Sequence, residues 1–120
     1  DVLLFPELFA AGLLAYAPGE RPHEHVTRRV RDAVLPAVKA AAAPGMLVCF
    51  GSYAHQEPGW AHALNRSPVL LGGEWHFADK LHPTQGELAE DPPIRAGDVL
   101  PVFAFRGGRV AVLVCFSLEM

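Results

Sequence analysis

The chain has 120 residues, 51% of them apolar and 19% charged, and a formal charge of −3 at pH 7. This is the size and balance of one globular domain that buries roughly 60% or more of its unfolded surface. No basic patch is present for nucleic acid or an anionic membrane, and the longest apolar runs, VLLF and VAVLVCF, are far too short to cross a bilayer, so a cytoplasmic location is expected.

Residues 2–5 (VLLF) predict a short buried strand that ends at Pro6, which cannot donate to a ladder. A loop or short helix carries the chain from Glu7 to Tyr16 and into the turn-forming APGE. From His23 to Ala43, Val26, Val30, Ala33, Val34, Ala37, Val38 and Ala41 recur at helical spacing, with Arg28, Arg29, Arg31, Asp32 and Lys39 largely outside the stripe. That pattern predicts an amphipathic helix packed on a sheet. Pro36 lies inside it and is expected to kink or divide it, because it lacks an N–H and crowds the preceding turn.

MLVCFGSY then supplies a strand, and EPGWAHALNRS reads as loop. PVLLGG and EWHFADK make a strand, a Gly-Gly turn and a second strand. Residues 81–98, rich in proline and acids, read as an ordered surface loop. VLPVFAF and RVAVLVCF, joined through RGG, close the chain as a hairpin-like pair. The expected class is therefore α/β or mixed α+β. Because the chain starts at Asp1 directly before one apolar strand and stops at Met120 directly after another, it is expected to be part of a longer domain.

Three positions combine a reactive group with a break in regular structure. Glu7 follows Phe5-Pro6 at the end of the first strand, Lys80 follows EWHFAD, and Cys115 ends VAVLVC. In open α/β sheets, ligand and catalytic groups gather at such strand ends. The other cysteine, Cys49, stands in the same LVCF tetrapeptide without such flanks and reads as a buried core residue.

In this order, VLLFPELFAAG, DKLHPTQGE and GRVAVLVCFSLEM resemble the carbon-nitrogen hydrolase family, also called the nitrilase superfamily. The likeness extends over nearly the whole chain, including GGEWHFADK and PVFAFRGGRVAVLVC. It implies an incomplete portion of an α-β-β-α sandwich, spanning residues 1–120 and lacking the family's first strand and its C-terminal half. It further implies Glu7 as general base, Lys80 as electrophilic stabiliser and Cys115 as nucleophile, with the Phe116 backbone N–H at the oxyanion and Glu87 beside the lysine.

The chemistry accounts for these residue types. A free thiol with a pKa near about 8.5 is only slightly ionised at neutral pH and needs a base or cation beside it. An ammonium about 4 Å away is worth roughly 4 kcal/mol at an effective dielectric near 20. Glu7 would accept the thiol proton, return it to the departing amine and then activate water against the thioester.

The resemblance implies no cofactor, a small amide-type substrate with water as co-substrate, and a homo-oligomer. Nitrile hydrolysis, acyl transfer by the same triad, and a non-catalytic binding role are the alternatives. Phe116-Ser117 replaces the Trp-Glu that follows the cysteine in nitrilases, which favours amide, ureido or carbamoyl compounds. His23-Glu24-His25 is the one close histidine pair, and without Cys-x-x-Cys or His-Glu-x-x-His spacing it makes a poor metal site.

Overall fold

The computed structural model describes residues 2–5 and 21–114. Strand β1 (Val2–Leu4) precedes α1 (Pro22–Arg29), a π-helical turn (Val30–Val34) and α2 (Leu35–Ala41). Then follow β2 (Leu47–Cys49), β3 (Tyr53–His55), β4 (Ala63–Leu71), β5 (Glu74–Asp79), α3 (Gln85–Leu88), β6 (Ile94–Arg95), β7 (Val102–Phe105) and β8 (Gly108–Ala111).

The predicted helix is present, and Pro36 acts on it in a specific way. Helix α1 starts with Pro22, whose missing N–H costs nothing in a first turn, and α2 carries Pro36 in its own first turn. Between them, the Leu35 N–H donates to the Val30 carbonyl five residues back. One extra residue in that turn moves the hydrogen-bond register around the proline, so the rod widens without breaking. Val26, Val30 and Leu35 face inward and pack on Phe50 and Tyr53, with Phe5, Val34, Val38 and Trp75 around them. Each such buried apolar side chain contributes about 2 kcal/mol.

The long strand β4 organises a six-stranded mixed sheet. One edge of β4 pairs antiparallel with β2 through Val69 and Leu70 and with β3 through Leu64 to Arg66. Its other edge pairs antiparallel with β5 and, at Ala63 and Leu64, parallel with β6. Strands β2 and β3 are thus two pieces of one line, interrupted where Gly51 takes φ 85°. Pro68 sits opposite that interruption, its carbonyl accepting from Phe50 N–H at 2.9 Å. Its missing donor faces the same gap, which is how a proline is accommodated in a central strand.

The β4–β5 hairpin turns at Gly72 and Gly73, φ 60° and 78°, as the Gly-Gly pair predicts. Strands β7 and β8 form the predicted second hairpin. It meets the sheet where the Phe103 ring lies 5.0 Å from that of His76.

Four expectations are corrected. Ala63 to Ser67, read as loop, belong to β4, because their polar side chains find cross-strand partners: Arg66 makes two hydrogen bonds to Asp79, at 2.8 and 3.1 Å. Strand β1 is present but exposed, Leu4 by 68%, since it lies at the sheet's margin and pairs among the described residues with β2 alone. Residues 81–98 hold the short helix α3 and strand β6 in addition to loop. Cys49 is half-buried instead of a full core residue. Among the described residues no helix is long and apolar enough to cross a membrane.

Candidate active site

Residues directly opposite across a ladder share a face of the sheet. Tyr53 opposes Arg66, Arg66 opposes Asp79, and Leu70 opposes both Val48 and Trp75, so these residues share the helix-covered face. Cys49 opposes Val69, Ala54 opposes Asn65, Ser67 opposes Ala78 and Val69 opposes His76, which assigns Cys49, Asn65, Ser67 and His76 to the other face. Lys80 extends β5 by one ladder bond, its N–H donating to the Asn65 carbonyl at 2.8 Å. Alternation along β5 therefore gives Lys80 the same face as Asn65 and Ser67.

Lys80 is only 2% exposed, and its Nζ lies 2.7 Å from Glu87 Oε1. A buried ammonium needs an opposite charge with good geometry, and Glu87 supplies one. The carboxylate is fixed from several sides. Thr84 caps α3: its Oγ1 accepts from the Glu87 N–H at 3.1 Å and donates to Glu87 Oε1 at 3.2 Å. The Thr84 N–H reaches the same oxygen at 3.4 Å, completing a capping box, and Asn65 Nδ2 approaches Oε2 at 3.5 Å. Burial alone disfavours the charged carboxylate. The hydrogen bonds from Lys80, Thr84 and Asn65, with the Lys80 charge, outweigh burial and hold its pKa below the ordinary range.

The far end of the lysine is anchored by backbone. Gly97 N–H donates to the Lys80 carbonyl at 3.0 Å, bringing the loop after β6 against the end of β5. That approach requires glycine, since a Cβ on residue 97 would stand 2.7 Å from Asp79 Cβ.

On the same face a cleft of about 480 Å³ opens between the β1–β2 margin and the second hairpin. Its described walls are mainly apolar, with Cys49, Ser52 and Ser67 as polar members, and do not include Lys80 or Glu87. Phe5 and Val114 both line it. Burial raises the Cys49 thiol pKa, which keeps that sulfur protonated and a poor nucleophile. Of the sequence-predicted residues, Lys80 and Glu87 are brought together, whereas Glu7, Cys115 and Phe116 lie outside the described residues.

Sequence reasoning passed over Asn65 and Thr84. Thr84-Gln-Gly-Glu87 is the S/T-x-x-E signature of a capping box and was the available signal. It also passed over a polar network on the helix face. Glu57 only accepts, so His55 Nε2 carries the proton donated to it at 3.0 Å, and the Tyr53 hydroxyl donates to Nδ1 at 2.8 Å. Burial, then the Arg66 charge, push the His55 pKa down to about 4, and burial raises that of Tyr53. Neutral and sealed under the helices, this pair braces the core. Among the described residues no group of three or more His, Cys, Asp or Glu could hold a metal ion.

No family model and no curated relative matches the chain by sequence. Its backbone is similar to the crystal structure of XC1258 from Xanthomonas campestris, a CN-hydrolase superfamily protein with an arsenic adduct in the active site. The TM-score is 0.70 at 19% identity, and the match covers 99% of this chain but 42% of that one. The chain thus spans less than half the length of that protein, and its mixed α/β architecture matches part of that protein's fold.

Proposed function

We propose that this chain carries the Glu-Lys-Cys centre of a thiol hydrolase that cleaves a non-peptide carbon-nitrogen bond in a small amide, ureido or carbamoyl compound. The observation that carries the reading is the buried Lys80 ammonium, locked on Glu87 and facing the same side of the sheet as the cleft. Phe5 stands two residues before Glu7, and Val114 directly precedes Cys115. That both line one cleft supports grouping the two strand ends with each other, on the sheet face that Lys80 shares.

In this mechanism Glu7 takes the proton of the Cys115 thiol as sulfur attacks the amide carbon. Negative charge then develops on the carbonyl oxygen, where the Lys80 ammonium and the Phe116 backbone N–H stabilise it; one such donor is typically worth about 3 to 4 kcal/mol. Glu7 returns the proton to the departing amine, leaving a thioester on Cys115, and then activates the water that releases the acid. Glu87 holds Lys80 in place throughout. The cleft volume lies within the usual range of about 300 to 1,000 Å³ for small-molecule sites. Its apolar walls suit a short aliphatic acyl group. Arsenic is a thiol-seeking element, so an arsenic adduct in the active site of the Xanthomonas protein is in keeping with thiol chemistry on this fold.

The test is ammonia or amine release from a panel of short amides, ureido acids and nitriles. Cys115→Ala should abolish turnover while Cys49→Ala leaves it largely intact. Equal loss in both variants would sink the assignment, and release from nitriles alone would replace amides as the substrate class.

A further inference from the structure

Lys80 and Glu87 are seven residues apart, and a turn followed by the four-residue helix α3 carries the carboxylate back to the ammonium. A helix this short has no stability of its own, since nucleating a helical turn is unfavourable. What holds it is its first turn, and there Thr84 has two roles at once. Its Oγ1 accepts from the Glu87 N–H at 3.1 Å and donates its single proton to Glu87 Oε1 at 3.2 Å. The oxygen that receives this proton is the one Lys80 contacts at 2.7 Å. Glu87 Oε1 is therefore directed by three donors, Lys80 Nζ, Thr84 Oγ1 and Thr84 N, which leaves the carboxylate little freedom to rotate away.

We infer that Thr84 is a positioning residue for the proposed hydrolase centre, acting through Glu87 to hold the Lys80 ammonium at one point on the sheet face. This rests on the reading of Lys80 as oxyanion stabiliser. Thr84 itself touches neither substrate nor reacting atoms. A shift of the ammonium by a fraction of an ångström is enough to lower transition-state stabilisation while leaving ground-state binding nearly unchanged. Asn65 has a lesser part, its longer contact reaching the other carboxylate oxygen at 3.5 Å.

A plain helix-capping role predicts a different pattern, which makes the two separable. Glutamine at the third helical position also completes a capping box. A Thr84 that only caps would therefore matter equally in wild type and in Glu87→Gln. The experiment compares Thr84→Val, Thr84→Ser, Glu87→Gln and Thr84→Val/Glu87→Gln by kcat and KM on the best amide substrate. Thr84→Val should lower kcat roughly tenfold, the loss expected for one hydrogen bond to a charged group, with KM within about twofold. Thr84→Ser should restore kcat, and the effect of Thr84→Val should be much smaller in the Glu87→Gln background, where only its capping role remains. Equal losses in the valine and serine variants, or an undiminished effect in that background, would overturn the inference. If wild type has no Cys115-dependent turnover, it is the hydrolase reading that fails. Titration of the ¹³C-labelled Glu87 carboxyl then decides, since an unchanged midpoint in Thr84→Val overturns Thr84's hold on Glu87.

Discussion

The Lys80–Glu87 pair is the most exposed to a stability test, because its two members sit so differently towards water. Lys80 is 2% exposed and Glu87 15%, with nitrogen and oxygen 2.7 Å apart. Two charges with centres about 4 Å apart attract by roughly 4 kcal/mol at an effective dielectric near 20. Desolvation offsets much of that in the intact pair, but a variant that removes one charge still bears the desolvation of the other, about 3 to 5 kcal/mol for fully buried pairs. Glu87→Gln keeps the shape and the capping box and removes only the charge. Because Glu87 is partly open to water, solvent can approach the pair in that variant, and the expected loss is about 2 to 3 kcal/mol.

Lys80→Met should cost less, about 1 kcal/mol, because methionine fills the stem and the partly exposed carboxylate regains some water. The double variant should then be close to Lys80→Met alone, a coupling of about 2 to 3 kcal/mol. Urea unfolding at pH 7 with unchanged m-values measures all four corners. The folded-state pKa of Glu87 lies below its ordinary value of 4.5. Its contribution is therefore complete above that pH and disappears as acid titrates the folded carboxylate below it. Losses that add to within about 0.5 kcal/mol at pH 7 would refute the account, as would a coupling that persists after Glu87 is protonated.

Two further predictions follow from buried positions. His55 has an ordinary pKa of 6.5 and about 4 in the fold, so the unfolded chain gains a proton first as pH falls. Stability should accordingly decline from pH 6.5 to about 4, by up to roughly 3 kcal/mol, and His55→Gln should flatten that slope in urea midpoints; an unchanged slope would assign it elsewhere. Gly97→Ala places a Cβ 2.7 Å from Asp79 Cβ and strains the 3.0 Å bond to the Lys80 carbonyl, so it should destabilise by about 1 to 3 kcal/mol, and a neutral substitution would mean the loop is free to move.

The parts of the fold legible in advance were those in which periodicity and local chemistry agree. The valine stripe of α1 and α2 faces the sheet as its spacing requires, and the Gly72-Gly73 turn closes the hairpin that its flanks announce. Polar β4 was not legible. Asn65, Arg66 and Ser67 read as loop because solvent is the default partner of a polar side chain, and Asp79 thirteen residues away replaces solvent only after the hairpin has formed. Likewise Pro36 forecast a disturbed helix, but the choice between a break and a π turn depends on whether both halves can still bury their apolar faces. Val30 at 0% and Leu35 at 6% exposure show that they do.

Within the site, a lysine after an amphipathic strand has water as its ordinary surroundings, and nothing in EWHFADK alone argues for burial. What makes burial tolerable is the segment that follows. Leu81 to Pro83 turns the chain, Thr84 starts a helix just long enough to present Glu87, and Asn65 and Gly97 fix the strand end to which the ammonium belongs. Lys80 and Glu87 are therefore one feature of the sequence rather than two. A lysine at a strand end followed by a T-x-x-E cap at this spacing brings its own counter-charge, and it can enter a low-dielectric face where an isolated lysine would lose its proton or remain outside. A charge fixed in this way before a ligand arrives needs no reorganisation to meet a developing negative charge, and the proposed acyl chemistry would draw on this prior fixing of the cation more than on the presence of a lysine.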